Sequence, residues 1–129
     1  MLTKAETGKL GEDAVCRYLE RGRYRIVCRN YHTRYGEIDI IAESENYIAF
    51  VEVKTRCEGS WVTGAQAVDI RKRRKIYKTA ILWLMENKLD KQPRFDVAEV
   101  TTEKTGSDKI TGFNYIVDAF GGEVCNEIF

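Results

Sequence analysis

The sequence has few of the features that mark secreted or membrane proteins. Residues 1–6 are polar and lack the apolar stretch that a signal peptide needs. The longest purely apolar run, at residues 80–85, is far shorter than the roughly 20 residues of a membrane-spanning helix. We therefore expect a cytoplasmic protein that makes no contact with a membrane.

Cysteine and histidine are also scarce, and the net charge is small. The chain has four cysteines and one histidine, His32, and no two cysteines are spaced as a CxxC pair. A common zinc site is therefore not expected, and free thiols in a reducing compartment are. The formal net charge is only +1, so any anion-binding surface must come from local clustering of charge.

What is present is the composition of one globular domain. The chain has 129 residues, enough for a single core, and we expect one domain over residues 1–129. Apolar residues make up 43% and charged residues 32%, which favours a folded protein over a disordered one. No internal repeat, low-complexity segment or linker interrupts the chain.

The pattern of apolar residues predicts an α/β fold, with a mixed β-sheet, flanking helices and the element order α-β-β-β-α-β-β. Helices are predicted at residues 4–21 and 65–88. Strands are predicted at residues 23–29, 37–42, 47–55, 94–101 and 113–120, and the second and third of them form a hairpin. Gly8 and Gly11 fall on the apolar side of the first helix, which predicts a close approach of that helix to the sheet.

Three charged residues interrupt apolar strands. Strand alternation puts Glu52 and Lys54 on one face of the segment 47–55, which is apolar on both faces and therefore predicted to be central. Asp39 interrupts the preceding strand in the same way. Buried charges are unfavourable unless they are paired or bind an ion. One interpretation is a buried ion pair. The other is a pair of carboxylates at neighbouring strand ends that chelates Mg²⁺, beside a lysine that orients or deprotonates a water.

These residues belong to a set of short motifs. Together the motifs resemble the YraN-like family, small bacterial proteins predicted to be nucleases and related to archaeal Holliday-junction resolvases. That family lies within the PD-(D/E)xK superfamily, whose fold is restriction-endonuclease-like. The segments that carry the resemblance are Gly8-Lys9-Leu10-Gly11-Glu12, Arg29-Asn30-Tyr31, Gly36-Glu37-Ile38-Asp39-Ile40-Ile41, Phe50-Val51-Glu52-Val53-Lys54-Thr55-Arg56, and Ala67-Val68 with Lys72.

The resemblance implies a metal-dependent endonuclease that hydrolyses DNA phosphodiester bonds and leaves a 5′-phosphate. Asp39 and Glu52 would be ligands of Mg²⁺, for which Mn²⁺ could substitute, and Lys54 would be the catalytic lysine. Glu12 would be a further acidic ligand supplied by the first helix. Ile38 replaces the proline of the superfamily motif.

Two further acceptor side chains are candidate accessory residues. Glu37 shares the face of Asp39, and Gln66 stands where relatives often carry an acidic residue. The alternative for Glu12 is a glutamate at the border of the apolar helix face that pairs with a nearby Lys or Arg. The likeness to junction resolvases points to branched DNA as substrate and to a homodimer, because resolving a junction needs two symmetric cuts.

A basic stripe follows the spacing i, i+3, i+4, i+7 on the second predicted helix. It is either a phosphate-binding surface or a solvated helix face. Lys72 and Arg56 are added to the candidate nucleic-acid-binding set. Trp61 either stacks on an unpaired base or packs against the core. No element suited to reading bases is evident, so strong sequence specificity is not expected. The stripe consists of Arg71, Arg74, Lys75 and Lys78.

Two other functions remain open at this point. The fold could serve as a non-catalytic nucleic-acid-binding module, which would have no need of Mg²⁺. It could also belong to an interaction protein in which Glu52 and Lys54 merely pair. Metal binding separates the first alternative from a nuclease.

Overall fold

In the part of the chain that the structure describes, residues 1–59 and 69–120, a computed structural model contains two helices and five strands. The predicted α/β class and element order are confirmed. Gln66 and Trp61 lie outside the described residues, and so does the predicted start of the second helix. The elements are α1 (Lys4–Arg21), β1 (Arg25–Thr33), β2 (Gly36–Glu43), β3 (Tyr47–Cys57), α2 (Ile70–Asn87), β4 (Gln92–Thr102) and β5 (Ile110–Phe120).

The five strands form one mixed sheet in chain order, β1-β2-β3-β4-β5. β3 pairs with β4 in parallel, and the other neighbours are antiparallel. The parallel pair is possible because the connection between β3 and β4 contains a helix that crosses over the sheet. β3 is the middle strand, as its two apolar faces predicted.

The helix α1 begins at a capping box and packs on one face of the sheet. The Thr3 hydroxyl accepts from the Glu6 N–H at 3.1 Å, and the Glu6 carboxylate accepts from the Thr3 N–H at 2.9 Å. Val15 and Leu19 are buried against the sheet in a cluster that includes Val51. α1 therefore forms one of two hydrophobic layers, which we call the α1 layer.

The predicted close approach of α1 to the sheet is confirmed at Gly11 and wrong at Gly8. A Cβ at Gly11 would overlap the Thr55 hydroxyl, so only glycine fits there. A Cβ at Gly8 would meet nothing within 4 Å. Tyr18 follows the apolar spacing of this helix but is not buried: its side chain is 46% exposed and stacks on Tyr115 at the edge of the sheet.

The helix α2 covers the opposite face. Asp69 caps its start by accepting from the Lys72 N–H at 3.0 Å. Ile76 and Trp83 are buried in a second cluster that includes Phe50, and we call this cluster the α2 layer. Because Ile40 and Val51 face α1 while Ile41 and Phe50 face α2, the sheet separates two cores.

The described residues include two helices and three of the four cysteines. None of the helices there is long and apolar enough to cross a membrane. Cys16 and Cys28 are free thiols, the Cys57 sulfur accepts a hydrogen bond of 3.6 Å from the Thr105 hydroxyl, and Cys125 lies outside the described residues.

Candidate active site

The candidate site lies where β2 and β3 stop pairing. Their ladder ends at the pair formed by Ile40 and Val51. Past this point β2 stays paired with β1, and β3 stays paired with β4. We call this divergence the fork. Asp39 and Glu52 are the first residues beyond the fork, and both lie inside long strands. The prediction that they lie at strand ends is therefore wrong.

The Asp39 carboxylate bridges the fork. Its Oδ2 accepts a hydrogen bond of 2.7 Å from the Val53 N–H, which replaces the missing ladder partner. Burial and the charge of Glu52 raise the pKa of Asp39 to about 7, although the bond from Val53 acts in the opposite direction. Asp39 and Glu52 are therefore close enough that the charge of Glu52 disfavours ionisation of Asp39.

Glu52 is 6% exposed and contacts two ammonium groups. The Lys54 Nζ lies 3.2 Å from Glu52 Oε1, and Lys72 Nζ contacts the same oxygen. Burial and the neighbouring Lys72 lower the pKa of Lys54. Burial acts to lower the pKa of Lys72 as well, but the contact with Glu52 raises it overall.

Lys72 is the site residue whose position the sequence did not reveal. Lys72 was assigned to nucleic-acid binding, yet α2 places its ammonium on Glu52. Lys72 lies within a run of five basic residues, 71–75, so composition alone could not separate it from its neighbours. The available signal was its spacing, because Lys72 precedes the buried Ile76 by four residues and so lies on the same side of the helix.

Glu12 approaches the fork from the α1 layer. Its Oε1 accepts from Arg29 and from Asn30, each at 3.3 Å, which is the arginine pairing that the alternative interpretation expected. The charge of Glu12 nevertheless contributes to raising the pKa of Asp39, after burial and Glu52. Glu12 is thus within electrostatic range of Asp39, and a ligand role stays a prediction.

The other sequence candidates are not drawn into this cluster. Glu37 is exposed, and its carboxylate lies 2.7 Å from His32 Nε2. Arg56 lies further along β3, and its Nε is buried without a hydrogen-bond partner among the described residues. The four stripe residues, Arg71, Arg74, Lys75 and Lys78, are all exposed on α2.

Two carboxylates suit Mg²⁺ better than they suit zinc. No group of three or more His, Cys, Asp or Glu side chains in residues 1–59 and 69–120 is placed to hold a metal ion. Magnesium, however, is often bound by one or two carboxylates and completes its coordination with waters and substrate phosphates. Burial and the neighbouring charge of Glu52 raise the pKa of Asp39, and a bound cation would offset both effects. The donor set therefore fits Mg²⁺ or Mn²⁺.

A second buried carboxylate, Asp96, is fully satisfied and belongs to a structural network. It accepts from Arg94 at 2.8 Å, from the Tyr115 hydroxyl at 2.6 Å and from the Asp118 N–H at 2.9 Å. These bonds leave no demand for an ion, in contrast to Asp39. This network was not predicted from the sequence, although Asp96 interrupts an apolar strand as Asp39 does.

A family profile and individual relatives identify the same protein family. The profile of the uncharacterised protein family UPF0102 matches residues 11–100, a range that contains Asp39, Glu52, Lys54 and Lys72. A UPF0102 protein of a Sulfurihydrogenibium species is 45% identical over 97 residues, which are 74% of this chain and 84% of that protein. The UPF0102 protein of Caldanaerobacter subterraneus subsp. tengcongensis is 38% identical over 122 residues, which are 92% of this chain and 98% of that protein. That of Dictyoglomus thermophilum is 38% identical over 120 residues and matched over its full length.

Proposed function

The chain belongs to the uncharacterised protein family UPF0102, the YraN-like family that its motifs indicated, and we propose that it is a metal-dependent endonuclease acting on DNA. The observation that carries the proposal is the fork. There the charge of Glu52 helps to raise the pKa of Asp39, and two lysines contact Glu52. Groups with such shifted pKa values cluster at functional sites.

Asp39 and Glu52 would hold the ion from the two sides of the fork. When bound, the ion would supply Lewis-acid stabilisation of the charge that develops on the phosphate. The Val53 N–H fixes the Asp39 carboxylate in place, so one ligand is oriented before anything binds. Glu12 would add negative charge at the edge of the site.

The two lysines would have separate tasks. Lys54 lies on the same strand and the same face as Glu52, and it would orient the attacking water toward the phosphorus. Its lowered pKa eases a proton transfer from that water. Lys72 reaches the site from α2, and it would contact a phosphate oxygen once Glu52 is engaged elsewhere. In the present structure it neutralises Glu52.

The exposed stripe of α2 would bind the DNA backbone next to this site. Lys72 is on the same helix as the stripe, so one element would carry both phosphate contacts and a site residue. Such contacts are independent of sequence. This arrangement agrees with a nuclease of low sequence specificity.

A second function has one observation in its favour. Lys54 and Lys72 both contact Glu52, so two ammonium groups compensate the buried Glu52 charge without any metal. A non-catalytic nucleic-acid-binding module could keep this arrangement as a scaffold. Such a module would bind DNA and would not bind Mg²⁺ through Asp39.

The deciding experiment is a panel of labelled linear, flapped and four-way branched DNAs incubated with Mg²⁺ or Mn²⁺. We expect cleavage by the wild-type protein and its loss, by at least about 100-fold, in Asp39→Asn, Glu52→Gln and Lys54→Ala. Glu37→Gln is the matched control, because Glu37 is an exposed carboxylate on the strand of Asp39. Cleavage that survives excess EDTA, or that is equal in Asp39→Asn and Glu37→Gln, would contradict the proposal.

A further inference from the structure

A cavity of about 480 Å³ opens beside the fork. It lies between the first two turns of α1, the second half of β3 and the loop that follows β4. Leu2 closes one side, since its N–H donates to the Gly106 carbonyl at 2.9 Å. Glu12 and Lys54 line the cavity and also belong to the cluster at the fork. Any group bound in the cavity would therefore be adjacent to the candidate active site.

The charged lining of the cavity is mostly positive. Lys4, Lys54 and Arg56 line it, and Glu12 is the one acidic residue among the described lining residues. The remaining surface combines threonine hydroxyls with apolar side chains. Among those residues are Leu2, Thr7, Val53, Thr55, Thr102 and Thr105. This combination suits an anion attached to a partly apolar body.

Arg56 adds an independent indication of a ligand. Its Nε is buried and has no hydrogen-bond partner among the described residues. A buried donor left unpaired is unfavourable, so such donors are rare in folded proteins. No hydrogen bond to a described residue holds Arg56 through Nε, so its guanidinium can turn toward an acceptor that a ligand brings into the cavity. A phosphate oxygen is the acceptor that arginine binds especially well.

The size of the cavity limits what part of a nucleic acid can enter it. Its volume lies in the range of about 300–1,000 Å³ that is usual for sites of small molecules. One nucleotide fits such a volume, whereas a base pair with both backbones does not. Duplex DNA could reach the exposed stripe, but only an unpaired nucleotide could enter the cavity.

We propose that this cavity receives one unpaired nucleotide of the strand that is cut, with Arg56 and Lys4 facing its phosphate. The proposal rests on the proposed function and makes its substrate class more specific. The preferred substrate would carry an unpaired nucleotide next to the scissile bond, as single strands, flaps and opened junctions do. A continuous duplex would bind through the stripe alone.

Gly8 allows the cavity to be filled without damaging the fold. It lines the cavity, and a Cβ there would meet nothing within 4 Å. In Gly8→Leu the side chain would occupy the cavity, and the helix would gain stability because leucine is a better helix former. Gly8→Ala is the matched control, since it makes the same backbone change and leaves the cavity open.

The test measures binding in EDTA, so that it does not depend on cleavage. The probes are a fluorescent single-stranded oligonucleotide and a blunt duplex of the same length. We expect Gly8→Leu to lose affinity for the single strand at least about tenfold and to keep its affinity for the duplex. Gly8→Ala should bind both as the wild type does, and Arg56→Gln should follow Gly8→Leu. Thermal unfolding of each variant checks that the fold is intact.

Equal affinities of Gly8→Leu and wild type for the single strand would overturn the proposal, and so would an equal loss for both probes. Competition separates a nucleotide from a simple anion. Deoxyadenosine monophosphate should displace the single strand at lower concentration than inorganic phosphate does, and equal potency would also count against the proposal. A protein that passes these tests but never cleaves DNA with Mg²⁺ would keep the cavity assignment and lose the nuclease assignment.

Discussion

Asp39 is the residue at which stability and the proposed chemistry conflict. Its carboxyl is partly buried beside Glu52, and both effects disfavour its ionised form. A protein selected for stability alone would place an apolar or amide side chain there. The carboxylate is therefore expected to cost stability whenever it is charged and no cation is bound.

This cost predicts a pH-dependent effect of Asp39→Asn. The pKa of Asp39 is raised from 3.8 to about 7, so the folded protein holds the proton more tightly than the unfolded chain does. The resulting stability is fully present below about pH 4 and is lost as the pH rises through about 7. Asp39→Asn cannot ionise. Relative to wild type it should gain up to about 4 kcal/mol between pH 4 and pH 8, at about 1.4 kcal/mol per pKa unit. Urea unfolding in EDTA measures the difference.

Asp13 supplies the control of opposite sign. Its contacts with Arg29 and Lys9 outweigh its burial and lower its pKa. The stability that it contributes is present above the unfolded pKa and is lost as the pH falls. Asp13→Asn should therefore be less stable than wild type at pH 7, with a gap that closes in acid. A pH-independent difference for Asp39→Asn would show that Asp39 is not electrostatically strained.

At this scale the sequence predicted part of the site. Asp39, Glu52 and Lys54 were identifiable because charge in an apolar strand needs a reason. The contact of Lys72 with Glu52 was not, because it depends on how α2 is rotated against the sheet. The network of Asp96 was not predicted either, because only Arg94 is on the same strand, and the partners Tyr115 and Asp118 lie on β5.

At the scale of elements, the packing of α1 on β3 depends on one position. Gly11 touches Thr55 so closely that a methyl group has no room. Gly11→Ala should destabilise the protein by about 1–3 kcal/mol through overpacking, although alanine is the better helix former by about 1 kcal/mol. Urea or thermal unfolding measures the change.

Gly8→Ala is the control for Gly11→Ala on the same helix. With open space around its Cβ, it should stabilise the protein by up to about 1 kcal/mol. Thr55→Ala removes the hydroxyl that Gly11 contacts, so it should restore part of the stability in the double variant. Equal effects of the two glycine replacements would mean that α1 does not approach β3 as described.

The basic stripe of α2 leads to a prediction about salt. Replacing its four residues by glutamine should weaken DNA binding and reduce the slope of log affinity against log salt, by up to about 3–4 if all four contact phosphates. Fluorescence anisotropy with duplex DNA over a salt series measures the slope. The substituted residues are Arg71, Arg74, Lys75 and Lys78.

A matched control separates location from total charge. A second variant with four glutamines on exposed basic residues elsewhere has the same net charge, and its slope should stay near that of wild type. If both variants change the slope equally, the stripe is an ordinary solvated helix face. The residues substituted in the control are Arg17, Arg21, Arg23 and Lys88.

For the whole molecule, the sequence predicted the order of elements better than their limits. Apolar periodicity identifies a helix or strand, but the ends depend on partners. The fourth strand was predicted at residues 94–101, yet β4 begins at Gln92 because its pairing with β3 extends to Tyr47. The fork was beyond prediction for the same reason. The fork forms because β2 stays paired with β1 while β3 stays paired with β4. Its position therefore depends on the pairing of four strands at once.

The separation of the two layers by the sheet has a consequence for how substitutions combine. Changes at sites without shared partners usually add, within about 0.3–0.5 kcal/mol. Truncations of Val15 in the α1 layer and Ile76 in the α2 layer should therefore add. Glu12 and Lys72 belong to different layers too, but both act on the carboxylates at the fork. Neutralising both should depart from additivity, because the fork is where an electrostatic change in one layer reaches the other.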